Sequence, residues 1–364
     1  MGTTDRDAFA GTMPVSERNR FDLVRLEAYL RQHIDGFDGP LEVEQFKGGQ
    51  SNPTFRLSAG GKRYVLRRKP PGKLLPSAHA VDREYRVMTA LRDSDVPVPR
   101  TRCLCADESV IGTAFFVMDC VDGRIFWNPS LPDMTRPGRA AIFAEMNRVI
   151  AALHRMDYPA LGLADYGKTG NYLARQIARW TKQYQASQVQ KIAEMDRLID
   201  WLPTHLPPSA LDESQTSVVH GDFRLDNLIF DADEPRIVAV LDWELSTLGH
   251  PLADFAYHCM SWHVPGGGPF GGMGGLDLEA LGIPSEAEHH AAYCRRVGRG
   301  PIDPDHWDFY IAYNMFRAAG IAQGIMGRVV DGTAASEHAA EVGRWARRMA
   351  ELGWQQVEKI LARR

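Results

Sequence analysis

The chain has 364 residues, 44% of them hydrophobic and 24% charged, with a formal net charge of −4, which is room for two units that each bury a core. That mild acidity lacks the basic footprint of a nucleic-acid binder, and no apolar run approaches the roughly 18–20 residues needed to cross a bilayer. Five cysteines (Cys103, Cys105, Cys120, Cys259, Cys294) are too few, and odd in number, for a disulfide framework. The start, Met1 to Arg6, has neither an apolar secretion segment nor the Ser or Thr of a myristoylation signal. A soluble, cytoplasmic protein with buried free thiols is expected, working as a monomer or homodimer on a small molecule, with no nucleic-acid or membrane partner.

In chain order, residues up to Phe21 read as mobile. Phe21, Val24, Leu30 and Ile34 then recur at near-helical spacing, so a helix is expected over 21–34. Residues 41–46 alternate as a strand. A small-residue turn, Gly48-Gly49-Gln50-Ser51-Asn52, leads into a strand at 54–57, and Gly60-Gly61 closes a hairpin into 63–68. A helix within 76–91 carries Val81, Tyr85, Met88 and Leu91 on its apolar face. Two more strands follow, the second at 114–118. From about residue 122 long helices are expected at 140–155, 172–202, 253–262, 306–326 and 336–364, interrupted by a hairpin of 227–230 and 236–241. A run with seven glycines at 266–275 is too long for a tight connection and reads as a lid or a surface loop. The fold class is therefore α+β, with an N-terminal extension and helix (1–36), a small antiparallel-sheet lobe (37–118), a link (119–123) and a larger, mostly helical lobe (124–364).

The chemistry concentrates in His220-Gly221-Asp222-Phe223-Arg224-Leu225-Asp226-Asn227 and in Asp242, which closes the hairpin. A His-x-Asp start with an Asn five residues after the Asp is the spacing of a kinase catalytic loop. Phosphoryl transfer asks a protein mainly for positioning and charge stabilisation. Asp222 is thus a candidate base, and Asn227 and Asp242 are candidate metal ligands. The glycines at 48–49 would let backbone N–H groups approach phosphate oxygens, or simply form a hairpin. Arg67 ends its strand with a permanent charge that forks onto phosphate or carboxylate, and Glu84 on the next helix could orient it. Asp119 and Val121, after Met118, could offer adenine one carbonyl and one N–H, or be a plain connector. His220 and Asp254 are expected to support the loop, and His154 to be a packing histidine. Asn314 and Arg317, three apart on a late helix, are candidate substrate contacts.

Together these residues resemble the aminoglycoside phosphotransferase / choline kinase-like family, relatives of protein kinases. The resemblance spans about 46–325 and rests on Gly48-Gly49, Arg67, Glu84, His220-Gly221-Asp222 with Asn227, and Leu241-Asp242. It implies a bilobal, protein-kinase-like fold, with ATP (or GTP) and Mg²⁺ in the cleft. Within that family, Val65 to Gly72 and Asp242 to Gly249 look like the kinase-like domains attached to acyl-CoA dehydrogenases. That likeness implies a hydroxylated acyl-CoA or a related small molecule as acceptor. Two departures stand out. Gly221 replaces the Arg of protein kinases, so no activation-loop phosphate switch is expected, and Arg67 replaces the usual Lys. A nucleotide-binding regulatory module without catalysis and an antibiotic phosphotransferase are the competing readings.

Overall fold

The computed structural model describes residues 11–47, 52–71, 79–332 and 339–364. Its chain divides into two compact units, Met1–Ile125 with Asn227–Leu245, and Phe126–Asp226 with Ser246–Arg364.

The first unit is built on a six-stranded antiparallel sheet, ordered β1-β2-β3-β4-β6-β5. Its elements are β1 (Thr12–Met13), α1 (Leu23–His33), β2 (Glu42–Phe46), β3 (Thr54–Ala59), β4 (Lys62–Arg68), α2 (Val81–Leu91), β5 (Thr101–Cys105) and β6 (Phe115–Asp119). The stretch expected to be mobile contributes β1, which pairs Thr12 with Phe46 and Met13 with Gln45. Asp22 caps α1 by accepting the N–H groups of Val24 and Arg25, both at 3.0 Å. The buried stripe of α1 is Leu26 and Leu30, four residues apart, while Val24, expected on that face, is 79% exposed. The β3–β4 turn is Gly60-Gly61, both at positive φ, as a two-residue turn between twisted strands requires. A Cβ on Gly60 would lie 2.6 Å from the Asp38 carbonyl oxygen. On α2, Val81, Glu84, Val87, Met88 and Leu91 are buried, so a carboxylate lies on the apolar face.

The short hairpin of Leu228–Phe230 and Ile237–Val240 was expected with the helical lobe, yet it belongs to the first unit. Backbone bonds hold it there: Val240 N donates to Pro97 O, and Arg124 N to Phe230 O, each at 2.8 Å. Gly123 permits the second approach, since a Cβ there would lie 2.1 Å from Phe230 O.

The second unit contains α3 (Arg136–His154), α4 (Tyr172–Ala186), α5 (Ala193–Trp201), α6 (Pro251–Cys259), α7 (Leu278–Leu281), α8 (Glu286–Val297), α9 (Pro304–Val330), α10 (Ala339–Arg344) and α11 (Ala346–Ala362). A two-stranded antiparallel sheet joins Ser217–Val219 to Thr247–Gly249. The single helix expected over 172–202 is two helices: α4 ends at Ala186, and the Ser187 hydroxyl after it donates to Gln183 O. The C-terminal helix is likewise split at Trp345. α9 is capped by Asp303 and is buried on nearly every side from Trp307 to Gly320, as expected of a helix that is apolar all round.

The glycine-rich run is a packed loop. Met273 N donates to Ser261 O at 2.7 Å and Gly274 N to Val264 O at 2.8 Å, while Val264 and Met273 are buried. Gly268 lies against the Trp345 ring. The five cysteines are free, and four are buried. No helix among the described residues is long and apolar enough to cross a membrane.

Candidate active site

Two groups of side chains carry the expected chemistry, one in each unit. In the first unit, Arg67 on β4 is buried among acids. Its Nε lies 2.9 Å from Glu84 Oε2, its Nη2 2.6 Å from Asp242 Oδ1 and 3.5 Å from Glu244 Oε2. Asn52, fully buried, donates to Glu84 Oε1 at 3.0 Å and to Glu244 at 3.5 Å. Its carbonyl oxygen meets His79 Nδ1 at 2.9 Å. One guanidinium thus serves three carboxylates. Burial pushes the Glu84 carboxyl up to about 7; Arg67 pulls it down, and Asp242 and Glu244 push it up again. Burial works against the Arg67 cation, but the three acids hold its pKa above the ordinary value. The upward direction for Glu84 follows from its own burial, with two partly exposed acids sharing its one cation.

Asp242 stands at φ +64°, an uncommon backbone for a residue other than glycine. Local bonds hold the chain around it. Leu241 N donates to Asn227 O at 2.8 Å, and the Trp243 indole N–H donates to Val240 O at 2.9 Å. The hairpin register, with Leu228 opposite Val240, therefore brings the backbone of Asn227 beside the residue preceding Asp242. The side chain of Asp242 remains a third exposed.

Asn227 and Asp242 offer hard oxygen donors, which suit Mg²⁺. Among the described residues no group of three or more His, Cys, Asp and Glu is placed to hold a metal ion. One carboxylate and one side-chain amide, completed by phosphate and water, make a donor set of the kind Mg²⁺ accepts. In the link, the Asp119 carboxylate is engaged by Arg102 at 2.6 and 2.7 Å, and its backbone N–H donates to Arg100 O at 2.9 Å. Met118 is buried and Val121 half-buried. Gly48, Gly49, Gln50 and Ser51 lie outside the described residues.

In the second unit, the loop from His220 to Asp226 follows the strand Ser217–Val219. Asp254, on the first turn of α6, accepts His220 N at 2.7 Å and Gly221 N at 2.8 Å. Burial opposes its charge, yet His154 and His220 hold the Asp254 carboxyl below the usual range. His154 bridges Asp254 (3.2 Å) and the Tyr293 hydroxyl (2.8 Å). His220 is fully buried and its Nδ1 accepts the Asp222 N–H at 3.2 Å. Gly221 takes φ +82°, in the left-handed region that glycine enters without steric cost.

Asp222 itself accepts a hydrogen bond from the Tyr257 hydroxyl at 2.5 Å. Arg224 Nε lies 3.0 Å from Asp226 Oδ1 and 4.0 Å from Asp222 Oδ1. Arg317 Nη2 donates to Gly221 O at 2.7 Å. Tyr257, Arg224, Asp226 and Glu244 had no role assigned from sequence. For Tyr257 a signal existed: it sits three residues after Asp254, on the same face of one helix.

Asn314 does not keep its expected place as a substrate contact. It is fully buried, and its amide donates to Ala253 O at 2.9 Å and Tyr310 O at 3.0 Å. At this buried position the Asn314 amide satisfies carbonyls rather than facing a ligand.

The model of the phosphotransferase enzyme family (APH) matches residues 42–289. Acyl-CoA dehydrogenase family member 10 of Mus musculus is 45% identical over 94% of this chain and 32% of its own length. Acyl-CoA dehydrogenase family member 11 of Rattus norvegicus is 43% identical over 98% of this chain and 46% of its own. The chain thus spans less than half the length of these curated relatives. A Ralstonia eutropha JMP134 structure described as a candidate aminoglycoside phosphotransferase is 58% identical, with a TM-score of 0.84 over 93% of this chain and 99% of that one. Choline kinase from Cryptosporidium parvum shares the fold at 13% identity, with a TM-score of 0.65 over 94% of this chain and 97% of its own. With a kinase-like fold and a family match over 42–289, the chain belongs to the phosphotransferase enzyme family.

Proposed function

We propose that the chain transfers the γ-phosphate of ATP, or GTP, to a hydroxyl group of a small molecule, and that the acceptor is a hydroxyacyl-CoA or a related metabolite. The observation that carries the reading is the anchored Asp222 loop: two backbone N–H groups tied to Asp254 and a Tyr257 hydroxyl bonded to the Asp222 carboxylate. In this reading Asp222 orients the acceptor hydroxyl and takes its proton as the oxygen attacks. Arg67, steadied by Glu84, steers the nucleotide phosphates, and the backbone of Asp119 and Val121 receives the base. Gly48 to Asn52 would cover the phosphates. Asn227 and Asp242 would hold Mg²⁺, which when bound supplies charge neutralisation at the phosphate oxygens. The acyl-CoA assignment draws support from the names of the curated relatives, acyl-CoA dehydrogenase family members 10 and 11.

A second reading, a nucleotide-binding regulatory module, draws on one feature: the Arg67 charge is already matched by three carboxylates. Transfer of labelled γ-phosphate over a panel of hydroxyacyl-CoAs, sugars, aminoalcohols and aminoglycosides separates the two. Turnover is expected with a hydroxyacyl-CoA, and Asp222→Ala is expected to lower it by about 10²–10⁴-fold while nucleotide binding is kept. Undiminished turnover in Asp222→Ala would remove the base from the scheme. Nucleotide binding without transfer to any panel member would favour the regulatory module, and an aminoglycoside as sole acceptor would favour antibiotic modification.

A further inference from the structure

We propose that Arg317 receives an anionic group of the phosphate acceptor, which makes the acceptor a hydroxyl compound bearing a carboxylate or phosphate. The word acceptor rests on the phosphotransferase reading above; the anion rests on the charge pairing of the second unit alone.

Arg317 is only 7% exposed, and among the described residues no carboxylate pairs with it. Nη2 donates to Gly221 O, whereas the buried Nε has no partner. The guanidinium lies 4.8 Å from the centre of the Tyr257 ring and 5.5 Å from that of Trp180. Burial works against its charge, while Tyr313, Tyr257, Tyr172 and Asp222 hold its pKa above the ordinary arginine value. The Asp222 carboxylate accepts the Tyr257 hydroxyl. Buried charges are ordinarily paired, and ring faces attract a cation more weakly than a carboxylate does. No carboxylate among the described residues forms an ion pair with this cation, whose Nη2 is bonded to the residue before the proposed base.

Other arginines show how this chain treats such charges. Arg67 has three carboxylates and Arg224 has Asp226. Arg68, also buried without a carboxylate, directs Nη1 to Ile111 O and Nη2 to Asn19 O and lies over the rings of Phe21 and Phe55. It sits on a strand, and its buried Nε has no partner either. Arg295 and Arg328 are exposed, and Arg296 donates to Asn147. Arg317 combines burial, no carboxylate ion pair among the described residues and a bond to the loop that carries Asp222. Protein kinases place a cation in the loop itself, at the position held here by Gly221; in this chain α9 delivers one to the Gly221 carbonyl. A guanidinium is suited to forked recognition of carboxylate or phosphate.

Thermal unfolding of the full chain tests this without requiring turnover. Wild type, Arg317→Met and Arg317→Lys are titrated with sodium phosphate, sodium acetate and Mg-ATP against sodium chloride at matched ionic strength. Phosphate or acetate is expected to raise the wild-type midpoint saturably. In Arg317→Met the apparent affinity is expected to fall about 10–100-fold, the loss of one charge-assisted bond, with Arg317→Lys between the two. An equal response in Arg317→Lys and wild type overturns the forked contact if Arg317→Met does not fold, and an equal response in Arg317→Met overturns the site outright. A dependence on Arg317 seen with Mg-ATP alone moves the contact to the nucleotide and overturns the acceptor assignment. If the anion response depends on Arg317 but no panel compound is phosphorylated, the anion site stands and the phosphotransferase reading fails. Where transfer occurs, a hydroxy acid is expected to lose its KM advantage over its own amide in Arg317→Met, with the proton-transfer pH profile unchanged.

Discussion

Asp254 Oδ1 accepts the N–H of Gly221 from 33 residues further along the chain, at 2.8 Å, and its second oxygen takes the N–H of His220. One buried carboxylate therefore fixes two successive peptides directly before Asp222. The same helix face sends the Tyr257 hydroxyl to Asp222 itself, so α6 sets both the path of the loop and the orientation of its carboxylate. Replacing Asp254 by Ala orphans two buried donors, each costing about 1–3 kcal/mol. The expected result is a stability loss of about 2–6 kcal/mol in urea unfolding, with Asp254→Asn, which keeps one acceptor, losing less. Equal stability in Asp254→Ala and wild type would mean the loop holds its own shape.

Arg67 and Glu84 form the second test. Arg67→Met leaves Glu84 buried beside Asn52, without its cation and near two further acids. Breaking a buried pair from one side typically costs about 3–5 kcal/mol, and that loss is expected at pH 7. Adding Glu84→Gln to Arg67→Met should recover part of it, because the stranded charge is gone. A double-mutant cycle in denaturant measures the recovery, and additive losses would show that the two side chains do not depend on each other.

The sheet was legible because strands alternate and glycine pairs mark turns: Gly60-Gly61 places the β3–β4 hairpin where the sequence suggests it. The loop was legible because its chemistry depends on residue types at short fixed spacing. What sequence could not show was which groups approach from far along the chain. Glu244 completes the acid set around Arg67 across 177 positions, and Arg317 reaches Gly221 across 96. Neither separation leaves a local pattern. Helix ends were misread for a related reason. Residues 172–202 keep a helical period across the break, and the Ser187 hydroxyl after α4 donates to Gln183 O, a competition that periodicity does not register. Membership of the 227–245 hairpin was also invisible, since backbone bonds to Pro97 and Arg124 decide it.

His250 predicts how the second unit responds to acid. It is the N-cap of α6, with Nδ1 accepting the Leu252 N–H at 3.2 Å and Nε2 lying 3.0 Å from Ser209 O. Both bonds are made at once only by the neutral ring carrying its proton on Nε2. Burial lowers its pKa from the ordinary 6.5 to about 4, with Arg299 and His154 pushing the same way and the Ser209 carbonyl pushing back. Because the folded value lies below the unfolded one, the unfolded chain binds more protons between these limits. Stability from this group is therefore complete above pH 6.5 and is lost as pH falls towards 4, by about 3 kcal/mol in all. His258, lowered to about 4 by burial, adds to the same slope. Asparagine can cap the helix without titrating, so His250→Asn should flatten the fall in unfolding midpoint between pH 6.5 and 4. Parallel curves for the variant and wild type would show that the acid sensitivity arises elsewhere.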